Sequence, residues 1–167
     1  GSFQSLRAWQ EITDFTQYTI AHSHLGVYAF ATMILFGATY YLMPRVMEWE
    51  WENARLVSLH FWTSGLGIGI YITALFIGGV IQGLQLLDPD ISFMTIVNDL
   101  KPWFWVRSIG GTLMTIGHFV FAYLLYRIIM RQGAPQSGPT YFRPAPEDMF
   151  RPRASDPAPA IDEQPGL

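Results

Sequence analysis

The sequence contains no cysteine. That excludes a disulfide framework, a thiolate metal site and a thiolate nucleophile, so any metal has to be held by histidine or carboxylate. Charge is scarce as well: only 14% of the residues are Asp, Glu, Lys or Arg, against roughly 25% in soluble domains, while 50% are apolar. The net charge of -3 and the absence of any basic cluster leave no footprint for nucleic acid. The chain lacks an initiating Met, and the polar, mixed-charge stretch Gly1 to Thr16 has no signal-peptide pattern. It therefore reads as truncated at its N-terminus, the C-terminal piece of a polytopic membrane protein.

Three long apolar runs are present. No Asp, Glu, Lys or Arg occurs between Phe15 and Pro44. At 1.5 Å per residue the part from about 17 to 43 is long enough to cross a hydrocarbon core of about 30 Å. A second charge-free run, Leu56 to Leu87, holds Gly65, Gly67, Gly69, Gly78 and Gly79, small residues that let helices approach closely in lipid. A third run, from about Trp103 to Met130, includes Arg107 and Arg127 near its ends and carries Gly110, Gly111 and Gly117. Trp103, Phe104 and Trp105, and likewise Tyr40 and Tyr41, suit an interfacial aromatic belt. The expected fold class is all-α, with transmembrane helices at about 17–43, 56–87 and 103–130.

Positive charge in the short connections sets the orientation. Arg45 and Arg55 lie between the first two spans, and Arg127 and Arg131 at the end of the third. The connection from Asp88 to Lys101 holds Asp88, Asp90 and Asp99 against one Lys. The C-terminus is expected in the cytoplasm, which puts the first turns of span one near the outer leaflet. Beyond Gln132, proline recurs among Gly, Ser, Asp and Glu, so 132–167 is expected to be a disordered cytoplasmic tail.

The segment that points to chemistry is Ala21-His22-Ser23-His24-Leu25-Gly26. Ionisable residues inside a membrane span are costly and signal function by default. An i, i+2 spacing rotates by about 200° on a helix, so His22 and His24 face opposite sides and cannot chelate one ion together. Each can instead be an axial ligand of a separate haem flanking the helix. The alternative is a pair of neutral imidazoles bonded to neighbouring helices or reaching toward the interface. His60, near the inner start of span two, is expected to reach water or headgroups in a structural role. His118, in mid-span, is expected to be a hydrogen-bonded packing residue. Arg107 is a candidate for haem propionates through charge-assisted hydrogen bonds, or else an interfacial anchor, and Arg7 is a weaker candidate for the same task.

Several strings resemble the catalytic subunit of the C-family haem-copper oxygen reductases, the cbb3-type cytochrome c oxidases. Gly1-Ser2-Phe3-Gln4-Ser5-Leu6-Arg7, Tyr18-Thr19-Ile20-Ala21-His22-Ser23-His24 and Tyr41-Leu42-Met43-Pro44-Arg45 are similar to its tenth-helix region. Leu59-His60-Phe61-Trp62, Gly79-Val80-Ile81-Gln82-Gly83-Leu84 and Val106-Arg107-Ser108-Ile109-Gly110-Gly111 are similar to its last two helices. The resemblance covers 1–131 and implies three helices of a twelve-helix subunit, in a bacterial inner membrane.

It implies that His22 is the proximal ligand of the high-spin b-type haem and His24 an axial ligand of the low-spin b-type haem. Electrons would pass from the haem at His24 to that at His22, and oxygen would be reduced between that iron and a copper. The copper ligands and catalytic tyrosine would lie on earlier helices, so no catalytic residue is assigned here. Protons would come from the cytoplasm, with some pumped. The implied partners are the rest of the subunit, membrane-anchored cytochrome c subunits and cytochrome c as donor. His24-Leu25-Gly26-Val27-Tyr28 departs from the oxygen reductases toward the related nitric oxide reductases, which would use non-haem iron in place of copper.

Overall fold

The computed structural model describes residues 1–133 and Pro135; most of the tail expected over 132–167 lies outside the described residues. The described chain is all-helical. A short helix α1 (Arg7–Thr13) precedes α2 (Gln17–His24), a π-helical segment (Leu25–Thr32) and α3 (Met33–Met47), followed by α4 (Ala54–Leu86) and α5 (Phe93–Ile129). Three stretches are long and apolar enough to span a membrane: Gln17–Met47, Ala54–Leu86 and Phe93–Ile129. The chain is a multi-pass membrane protein.

Local chemistry sets the helix ends. The Thr16 hydroxyl accepts from the Tyr18 N–H and starts α2, just after Phe15 turns the chain at a positive φ of 57°. Asn53 caps α4 by accepting from the N–H groups of Arg55 and Leu56. Near the end of α3, Pro44 has no N–H to give the carbonyl of Tyr40. The Trp51 indole N–H fills that role at 2.9 Å, which ties the α3–α4 connection back onto the helix.

The third long helix begins at Phe93, ahead of the span expected from about Trp103. Asp99, Lys101 and Pro102 carry loop signals. Ser92, however, caps Thr95, buried Ile96 and Leu100 give these turns an apolar face, and Gln85 of α4 donates to Asp99 at 2.8 Å. Pro102 then costs one backbone hydrogen bond, not the helix. At 37 residues α5 is about 55 Å long, well beyond a hydrocarbon core of about 30 Å.

Small residues position the helices. Gly67 and Gly110 face each other so closely that a Cβ on Gly110 would come within 2.6 Å of the Gly67 carbonyl oxygen, and Ser64 meets Gly117 nearby in the same seam. Gly79 lies against the Tyr18 backbone and Gly83 against the Ile12 carbonyl, so the start of the first span is laid directly onto α4. The Gln17 N–H donates to the Gln82 side chain at 2.9 Å beside them. Gly65 and Gly69 have no such neighbour among the described residues. At the other end Tyr40, Trp51, Val57, Leu124 and Ile128 form a buried cluster that joins α3, α4 and α5, beside an Arg127–Glu52 ion pair. The first span leaves most of its apolar surface uncovered: only 6% of its most apolar window is buried. Such a surface belongs against lipid or other helices.

Candidate haem-ligand site

His22 and His24 occupy the last turn of α2, each half-buried. His24 Nδ1 lies 2.8 Å from the Ile20 carbonyl oxygen. A carbonyl can only accept, so Nδ1 carries the proton and Nε2 keeps a free lone pair, the tautomer that a metal-binding imidazole uses. The ring packs 5.0 Å from that of Tyr71 on α4. Among the described residues, neither imidazole is bonded to a neighbouring helix: His24 bonds its own backbone and His22 has no partner.

Directly after His24 the winding changes. Leu25–Thr32 forms a π-helix, and the Thr32 hydroxyl donates to the Val27 carbonyl, five residues back, at 2.9 Å. Such segments are rare and recur at functional sites. The wider winding shifts the phase of everything downstream of the His pair. It brings Tyr28, Phe36 and Tyr40 onto the side that faces α4 and α5, where Phe36 contacts the rings of His60, His118 and Phe121.

Arg107 does not stand at the beginning of its helix, since Phe93–Val106 precede it in α5. It lines a cavity of about 460 Å³ with Tyr71, Ser108, Gly111, Thr112 and Thr115. Its guanidinium carbon lies 5.2 Å from the Phe104 ring, and no carboxylate pairs with it among the described residues. Tyr71 therefore connects the two candidates, with its ring against His24 and its side along the Arg107 cavity. Nothing in the sequence singles out Tyr71, which carries no charge and stands in an unremarkable apolar run.

The remaining histidines differ from each other. His60 is only 1% exposed and does not reach bulk water or headgroups. Tyr40 has drawn it inward, with the phenol 2.8 Å from Nδ1, and Phe121 stacks on its ring at 4.9 Å. His118 is more exposed, and its Nε2 lies 3.2 Å from the Tyr28 hydroxyl, in keeping with a hydrogen-bonded packing role.

The donor set fits haem. No group of three or more His, Asp or Glu among the described residues could enclose a metal ion, but axial ligation needs only one imidazole from a given helix. His24 presents a bare Nε2, and Arg107 lies beside a cavity with no counterion among the described residues.

The family model for "Cytochrome C and Quinol oxidase polypeptide I" matches residues 1–113. A "Cytochrome c oxidase subunit 1 homolog, bacteroid" from Bradyrhizobium diazoefficiens is 31% identical over 87% of this chain and 28% of its own length. A "Cbb3-type cytochrome c oxidase subunit CcoN1" from Stutzerimonas stutzeri is 30% identical over 77% of this chain and 29% of its own. A nitric oxide reductase polypeptide from the same organism is 31% identical over 74% of this chain and 28% of its own. The chain thus spans less than a third of the length of these relatives. A matched region that contains both histidines, on a membrane helix packed as described, places this chain in the cytochrome c and quinol oxidase polypeptide I family.

Proposed function

We propose that residues 1–131 are the C-terminal part of the catalytic subunit of a cbb3-type respiratory terminal oxidase, three helices of a twelve-helix bundle. The whole subunit reduces oxygen to water with proton translocation in a bacterial inner membrane, with the C-terminus in the cytoplasm. Its partners are membrane-anchored cytochrome c subunits, with cytochrome c as electron donor. The observation that carries this reading is the His22/His24 pair, two imidazoles whose i, i+2 spacing sets them on opposite sides of one helix, within the region that the family model matches.

In this reading His22 holds the high-spin b-type haem and His24 the low-spin one, with copper held by residues outside this chain. When bound, these groups supply electron transfer and the chemistry at oxygen. The chain's own contribution is positional. The Ile20 carbonyl fixes the His24 tautomer and ring orientation. The Tyr71 ring packs against the imidazole, and Arg107 beside the cavity offers a fork of N–H donors to a propionate. Removing that positive charge destabilises the more negative, reduced state. Arg107→Ala is accordingly expected to lower the reduction potential of the haem it serves, with Arg107→Lys recovering part of the shift in a redox titration.

A second reading is nitric oxide reduction with non-haem iron in place of copper. It is favoured by His24-Leu25-Gly26-Val27-Tyr28 and by the similarity to the nitric oxide reductase polypeptide. The test is gas consumption by the purified full-length assembly with reduced cytochrome c. Rapid oxygen uptake that disappears in His22→Ala supports the oxidase. Nitric oxide consumption with little oxygen uptake selects the second reading, and an assembly without haem that consumes neither gas overturns both.

A further inference from the structure

Between α3, α4 and α5 lies a set of polar side chains that haem ligation does not use. The Tyr40 hydroxyl meets His60 Nδ1 at 2.8 Å, whereas His60 Nε2 is buried with no partner among the described residues. One turn along α4, the Ser64 hydroxyl is also fully buried and has no partner among the described residues. It lies beside the Tyr28 phenol but outside bonding geometry, and Tyr28 in turn meets His118 at 3.2 Å. Phe36 and Phe121 wall the His60 ring, and Gly117 backs the site so closely that a Cβ there would lie 2.7 Å from the Ser64 oxygen and 2.8 Å from the Thr63 oxygen. Two hydrogen-bonded pairs, Tyr40–His60 and Tyr28–His118, thus flank two orphaned polar atoms one turn apart on α4, His60 Nε2 and Ser64 Oγ.

A buried group left without a partner costs about 1–3 kcal/mol, and a water that serves two such groups removes most of that cost. Nε2 of a neutral imidazole and a serine hydroxyl suit a bridging water in either tautomer. Tyrosine, imidazole, serine and water all donate and accept, so each can release one proton as it receives another and return to its starting charge. The series begins at Tyr40, beside the Trp51 connection, and ends at Tyr28, one turn beyond His24. It covers on the order of 15 Å along the first span.

We propose that Tyr40, His60, Ser64 and Tyr28, joined by ordered water at Ser64 that reaches His60 on one side and the Tyr28 phenol on the other, form a proton-conducting chain leading from the α3–α4 connection toward the His pair, with His118 bonded to its last phenol. The chain itself stands on these contacts; the proposed redox function enters only as the consumer of the protons.

Two measurements on the full-length assembly test it. A structure that resolves ordered waters is expected to show one within about 3.5 Å of both His60 Nε2 and Ser64 Oγ. In proteoliposomes, Ser64→Ala and Tyr28→Phe are each expected to slow single-turnover proton uptake, followed with a pH-indicator dye, by roughly tenfold or more with haem bands unchanged. Absence of the water overturns the chain, as does its presence with wild-type uptake in both variants. If the assembly contains no haem, the redox reading fails, and the water and the passive proton conductance of the same vesicles decide the chain independently.

Discussion

A Gly83→Ala substitution in the full-length protein is expected to prevent α1 and the start of α2 from seating on α4. The added Cβ would fall on the Ile12 carbonyl, a backbone atom that cannot turn aside as a side chain would. Overpacking of a tight contact costs about 1–3 kcal/mol, and a clash with backbone belongs at or beyond the upper end. Gly79→Ala meets the Tyr18 backbone in the same way, whereas a Cβ on Gly78 would lie 3.1 Å from the Trp103 Cβ, a contact that a small shift relieves. The yield of haem-loaded assembly and its thermal midpoint should therefore fall strongly for Gly83→Ala and Gly79→Ala and little for Gly78→Ala. Wild-type values for all three would show that the first span is not held by this seam. Because α2 carries His22 and His24, the packing error reaches the candidate site within three turns.

The second large effect is expected from His24→Ala. In the folded chain the Ile20 carbonyl holds the Nδ1 proton, which leaves Nε2 as the only lone pair the ring can offer. Alanine removes the ligand itself, so the loss should exceed the roughly 10–100-fold that removal of an outer-shell partner typically costs. Electron delivery to the second haem is expected to collapse, read as loss of the low-spin band in the reduced spectrum and of turnover. A low-spin spectrum identical to wild type would remove His24 from the ligand set.

Much of the fold is legible in the sequence because lipid imposes coarse rules. Twenty or more apolar residues without charge mark a span, and Leu56 to Leu87 leaves little choice. The start of α5 is not legible. Asp99, Lys101 and Pro102 suggest a loop, and only the Ser92 cap with buried Ile96 and Leu100 outweighs them. The π segment is also hidden, since an apolar run such as Leu25–Thr32 suits an α-helix equally and winding is decided by packing rather than composition.

The site divides the same way. His22 and His24 stand out because ionisable residues in a span are rare. Tyr71 does not, because its role arises only when α2 and α4 meet. The position of His60 near a span end points to bulk water, which is the wrong environment: its burial beside Tyr40 depends on a tertiary contact between α3 and α4.

The most direct test compares visible spectra of the reduced full-length assembly, with and without carbon monoxide, in wild type, His22→Ala and His24→Ala. If one helix serves two haems, His22→Ala loses the carbon-monoxide-reactive high-spin signal and keeps the low-spin band, and His24→Ala does the reverse. Both signals intact in both variants would contradict the assignment of either imidazole to haem.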